Sequence, residues 1–135
     1  MIFIYNEDSY EQSILELFSI LGYKHLIGYE IDRDYQNPLY MDELESSLLK
    51  INKDQNKNAI YSAIEKLQNI DIGSLEERND KFMNYLQNGV SVNYVEDNEE
   101  RSTLIKIIDF ETIENNTFTV INQWTVVEKE TKTEE

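Results

Sequence analysis

An Asp and a Glu on neighbouring strands, with a Lys close by, can hold one or two Mg²⁺ ions: the metal stabilises charge developing on a phosphate while the lysine orients or activates the attacking water. The parts available for such chemistry are Asp109, between Ile108 and Phe110, and two tail matches, Glu128-Lys129-Glu130 and Glu130-Thr131-Lys132. Each has a plainer reading. An Asp at a strand end starts turns, and Glu with Lys is ordinary in a solvated terminus that lacks apolar neighbours. On a helical wheel centred on Ile14, Phe18 and Leu21, Glu11 falls on the flank of the apolar stripe and Glu16 opposite. Glu11 is therefore the carboxylate that can lean towards a sheet-end site, or else it complements the positive end of its helix. Asn122 and Gln123, between Val120, Ile121 and Trp124, place an amide near a buried face. A hydrogen-bonded clamp across the sheet or to the fourth helix is the simplest use for such an amide.

Composition removes several alternatives. The chain has no cysteine and one histidine, His25, so disulfides, thiolate chemistry, histidine zinc clusters and Ser/His relays are excluded. His25 beside Lys24 reads as a surface or boundary residue. With 27 acidic against 12 basic residues the formal charge is -15, which repels phosphate backbones and disfavours free-standing nucleic-acid binding. Trp124 and the tyrosines lack interleaved Lys and Arg, so core and rim roles fit them better than base stacking. The run Met1-Ile2-Phe3-Ile4-Tyr5 is too short for a signal segment and no long apolar stretch follows, so the chain reads as cytoplasmic.

These side chains need elements to position them. Asp8 and Glu11 make an acidic helix start, with Ser9 and Gln12 as an alternative capping box, and Gly22 is the stop. Tyr23 to Ile31 reads as a short irregular strand, and Asp32 to Pro38 as a loop. Leu44, Leu48, Leu49 and Ile51 mark a second helix; Ala59, Ile60, Ala63, Ile64 and Leu67 share one face of a third. Ser74 and Glu77 cap a fourth, which Asn88-Gly89 ends. From Val90 the pattern turns to β: Val90 to Val95, Leu104 to Phe110 and Phe118 to Val127. The expectation is an α+β fold, with N-terminal helices packed on an antiparallel three-stranded meander. Residues 1–127 form a single α+β domain in this reading, and 128–135 a frayed acidic tail.

One block is more specific than composition can produce: Asn79, Phe82, Leu86, Gly89-Val90, Tyr94, Arg101, Asp109-Phe110, Asn116, Phe118 and Asn122-Gln123. With the helices at Leu48 to Asn52 and Ala59 to Leu67, it resembles the N-terminal part of the R (restriction) subunit of type I restriction-modification enzymes, over about Glu7 to Val127. The resemblance implies the front part of a restriction-endonuclease-like, PD-(D/E)xK nuclease domain. In that family the metal-binding Asp and the Glu-x-Lys pair follow the Asn-Gln strand. Here Lys132-Thr133-Glu134-Glu135 stands where Arg-Pro-Asp is expected. An Asp-Phe pair closes the matching family strand, which makes Asp109 a structural corner. In many such nucleases a Glu on the first helix also faces the metal, which makes Glu11 the candidate catalytic residue.

The resemblance further implies a complete subunit that cleaves unmodified DNA after ATP-dependent translocation, with Mg²⁺ and ATP as its cofactors and modification and specificity subunits as partners. This chain has no Gly-x-x-x-x-Gly-Lys loop, so no cofactor is expected of it alone. DNA contact belongs to the complete enzyme and no membrane is involved. An exposed strand edge at Phe118 to Val127 invites self-association. The alternatives are a non-enzymatic acidic DNA mimic and a subunit-docking module built on Tyr40 to Gln68.

Overall fold

The computed structural model describes residues 6–128. The Met1–Tyr5 run and the Glu130/Lys132 tail match lie outside the described residues. Two compact units make up the chain, one from residues 1–38 and 118–135, the other from Leu39–Thr117.

In the first unit, α1 spans Glu7–Ile20. Its N-cap is Asn6, whose side chain accepts from the Ser9 amide at 2.8 Å, and not the expected Ser9/Gln12 box. At the other end the expected Gly22 stop is present, at φ +89°. The Gly22 amide donates to Ser19 O and the Tyr23 amide to Phe18 O, both at 3.0 Å. This double bond pattern normally comes with an apolar contact across the cap, and here the Phe18 and Tyr23 rings lie 5.0 Å apart, with Phe118 5.4 Å beyond Tyr23. The cap aims the chain into β1 (Lys24–Ile27), followed by a 3-10 turn at Gly28–Glu30.

In the second unit, α2 is Met41–Ile51, α3 Lys57–Gln68 and α4 Leu75–Asn88. Asn56 and Ser74 cap α3 and α4, and Gly89 at φ +82° ends α4. Strands β2 (Val90–Glu96) and β3 (Glu99–Ile105) pair antiparallel, Val90 opposite Ile105 and Glu96 opposite Glu99. The core is Leu48, Ala59, Ile60, Ala63, Ile64, Leu67, Val90, Val92 and Ile105. It combines the predicted face of α3 with the inward positions of the hairpin.

The fold is α+β, but among the described residues the expected three-stranded meander is replaced by two two-stranded sheets. Two causes account for this, one local and one distant in sequence. Asp97 and Asn98 both adopt positive φ, +52° and +62°, which closes a two-residue hairpin and starts β3 at Glu99 instead of Leu104. Buried Asn52 then takes both backbone groups of Lys106: its Oδ1 accepts from Lys106 N at 2.9 Å and its Nδ2 donates to Lys106 O at 2.8 Å. The ladder ends at Ile105. The last strand, β4 (Thr119–Asn122), pairs not with β3 but parallel to β1, with His25 opposite Val120 and Ile27 opposite Asn122.

Candidate functional site

Parallel pairing brings the carboxyl ends of β1 and β4 together, at Ile27 and Asn122. In open sheets of α/β proteins, ligand chemistry gathers at carboxyl ends of strands. Helix α1 supplies Glu11 to this end. Its one buried apolar residue is Leu15, while Ile14, Leu17 and Leu21 are exposed. The stripe is thus centred on Leu15, and Glu11, four residues earlier, lies on the packed face and not on its flank.

Two amides converge on the Glu11 carboxylate. Asn122 Nδ2 donates to Oε1 at 2.7 Å, and Gln123 Nε2 lies 3.2 Å from Oε1 and 3.3 Å from Oε2. Successive residues of a strand point to opposite faces, so two neighbours would not ordinarily reach one partner. Gln123 does so because the chain turns into the left-handed region there, at φ +56°. Gly28 makes room for the turn. A Cβ on it would lie 2.7 Å from the Gln123 carbonyl carbon and 3.0 Å from Trp124 Cα, with the carbonyl oxygen closer still. The Asn122 bond, then the Gln123 bonds, lower the Glu11 pKa; desolvation opposes them and the His25 charge adds to them.

An amide clamp is therefore built, but it runs to a carboxylate of the first helix and not to the fourth. His25 joins from β1, with Nε2 2.7 Å from Asn122 Oδ1. The placement of His25 at the surface is correct, since it is exposed, but its bond to the cluster was not legible. Beyond the site, Arg33 stacks its guanidinium 3.4 Å from the Trp124 ring centroid and 4.5 Å from that of Tyr35, and it donates to Thr125 O. Trp124 Nε1 donates to Pro38 O at 3.0 Å. A tryptophan held this way is a bracket for the segment after β4, in line with a core and rim role. Nothing in the spacing of Arg33 announced it.

Asp109 sits in the other unit and is a corner. Its Oδ1 accepts from the Glu111 and Thr112 amides at 3.0 and 2.9 Å, its Oδ2 from Asn115 at 3.1 Å. Asn116 returns the clamp, accepting from Asp109 N and donating to Asp109 O. The Thr112 bond is the main cause of a lowered Asp109 pKa, with Asn115 next. Every described use of this carboxylate is to hold the 3-10 turn at Ile113–Asn115. A cleft of about 520 Å³ between α3, α4 and β2 carries Lys66, Lys81 and Tyr85, but Lys66 already donates to Ser91 O at 2.7 Å.

Mg²⁺ asks for an octahedron of oxygens. Around Glu11 the nearest groups are N–H donors aimed at the carboxylate, and among the described residues no group of three or more His, Cys, Asp and Glu side chains is placed to hold a metal. These residues alone do not fit the ion. No helix among them is long and apolar enough to cross a membrane.

An α+β chain with a braced carboxylate at the end of a parallel strand pair meets its match in sequence. The family described as "Type I restriction enzyme R protein N terminus" matches residues 4–134, and the chain belongs to that family. It is 28% identical over 126 residues to the type I restriction enzyme HindI endonuclease subunit of Haemophilus influenzae, covering 87% of this chain and 12% of that protein. It is 30% identical over 128 residues to the putative type I restriction enzyme MjaIXP endonuclease subunit of Methanocaldococcus jannaschii, covering 90% of this chain and again 12% of the relative. The chain thus spans about an eighth of the length of these relatives. No solved structure matches it.

Proposed function

We propose that this chain is the opening portion of the nuclease domain of a type I restriction R subunit, with a restriction-endonuclease-like fold, and that Glu11 is the carboxylate it contributes to the DNA-cleaving site. The observation that carries the reading is the convergence of Asn122 and Gln123 on Glu11 at the carboxyl ends of β1 and β4. Two amides hold the carboxylate ionised and aimed, so it presents a fixed negative charge without reorganising. The complete subunit would cut unmodified DNA after ATP-driven translocation, in the cytoplasm, alongside modification and specificity subunits. Mg²⁺ and ATP belong to that complete subunit; the described residues alone neither cut DNA nor hydrolyse ATP.

The test uses an R subunit carrying this segment, assembled with modification and specificity subunits. Glu11→Gln should lower cleavage of unmodified plasmid by at least about 10- to 100-fold, the range already reached when a mere supporting partner of such a site is lost. ATP hydrolysis should be retained. Undiminished cleavage would remove Glu11 from the site. The other edge of β4 is where a further strand or a second copy would add; a mass by light scattering that stays monomeric at all concentrations counts against the second copy.

A further inference from the structure

The bond between His25 and Asn122 has a consequence for Glu11. His25 stands two residues before Ile27, the strand partner of Asn122. Alternation puts His25 and Ile27 on one face, and His25 reaches Asn122 as a diagonal neighbour. The amide of Asn122 is then held at both ends: Nδ2 donates to Glu11 Oε1 and Oδ1 meets His25 Nε2, each at 2.7 Å.

Only one arrangement of hydrogens satisfies this chain. Turned over, the amide would set its oxygen against the carboxylate and its NH₂ against the imidazole. With Nδ2 on Glu11, Oδ1 needs a donor, so His25 must carry its hydrogen on Nε2. We infer that His25 is a positioning residue for Glu11: by donating to Asn122 Oδ1 it fixes the amide, and the amide fixes the direction of the carboxylate. Through such coupling each end orients the other. Any effect on DNA cleavage rests on the proposed role of Glu11; the orientation itself does not.

Carboxyl ¹³C NMR on the whole chain tests this without any cleavage assay. In His25→Ala the Glu11 midpoint should move up, because the amide is released. His25→Gln removes the ring and its charge but keeps an N–H donor for Asn122 Oδ1. It should bring the Glu11 midpoint back most of the way towards wild type, short only of the smaller contribution of the lost charge, and restore the Asn122 side-chain amide shifts. If His25→Gln behaves like His25→Ala, the effect is that of charge alone and the positioning role is overturned. An unmoved Glu11 midpoint in His25→Ala, with hairpin amides of residues 90–105 unchanged as proof of folding, overturns it as well. In the wild type, ¹⁵N shifts of the neutral ring should show the Nε2–H tautomer; the Nδ1–H form would contradict the chain of bonds.

Discussion

The two units of this chain differ in how much apolar surface each buries. Residues 39–117 hold the apolar core, with Leu48, Ala59, Ala63, Val90 and Ile105 at 0% exposure. The unit formed by the chain ends buries Leu15 alone among its described large apolar side chains, and it leaves Ile20 of α1 and the C-cap residue Leu21 exposed. Beside the Phe18, Tyr23 and Phe118 rings, it is organised by the Glu11 cluster, the Arg33 stack and a parallel pair of four-residue strands. Elements with few buried contacts open at lower free energy, and binding regions are drawn from that end of the range. The contrast teaches that one unit supplies stability while the other holds a carboxylate in place by hydrogen bonds.

The largest expected effect lies in the packed unit. Ile60→Ala should cost about 2–5 kcal/mol by urea unfolding, since Ile60 is 1% exposed and a cavity would remain. A loss as small as that of a surface substitution would dissolve the contrast. Next comes Gly28→Ala, which forces a Cβ into the Gln123 backbone and should cost about 1–3 kcal/mol. Hydrogen exchange should show the loss first in the amides of β1 and β4. Equal protection in the variant would mean that the close approach is not needed.

Asn52→Ala strips partners from both backbone groups of Lys106 and should cost about 1–3 kcal/mol. A cost near zero would show that water replaces the clamp. The smallest effect concerns pH. Glu11 and Asp109 both have folded pKa values below their ordinary ones, so each contributes stability that is present above the ordinary carboxylate range, about pH 4, and is lost as pH falls through the lowered folded value. Carboxyl NMR should therefore place both midpoints low. Glu11→Gln and Asp109→Asn should each flatten the acid limb of the stability curve, and a limb unchanged in either variant would mean that its carboxylate is not linked to folding.

Much of the helical framework was legible. Apolar spacing marked α3 residue by residue, Gly22 and Gly89 marked two helix ends, and Ser74 a helix start, because these signals act within a few residues of chain. Helical spacing placed Glu11 beside an apolar stripe, but that stripe centres on Leu15 and not on Ile14, Phe18 and Leu21. The β pairing was not legible. Leu104 to Phe110 reads as a strand by composition, yet Asn52, distant in sequence, claims the backbone at Lys106. His25 and Arg33 gave no local signal, since each is defined by a partner about ninety or more residues away: Asn122 for His25 and Thr125 for Arg33.

By itself, then, the sequence determined what short-range forces decide: four helices among the described residues, the Ser74 start and the Gly22 and Gly89 ends, an apolar face on α3, a β-rich second half, a charge of -15 and the family signature. Tertiary structure decided that β4 lies parallel to β1, that Gln123 turns back beside Asn122, and that both amides meet on Glu11. The strand pairing joins residues 95 positions apart, and the bonds to Glu11 span more than a hundred. Periodicity reports which face of an element is apolar, but pairing between distant segments depends on closing the intervening chain and on which backbone groups are already taken.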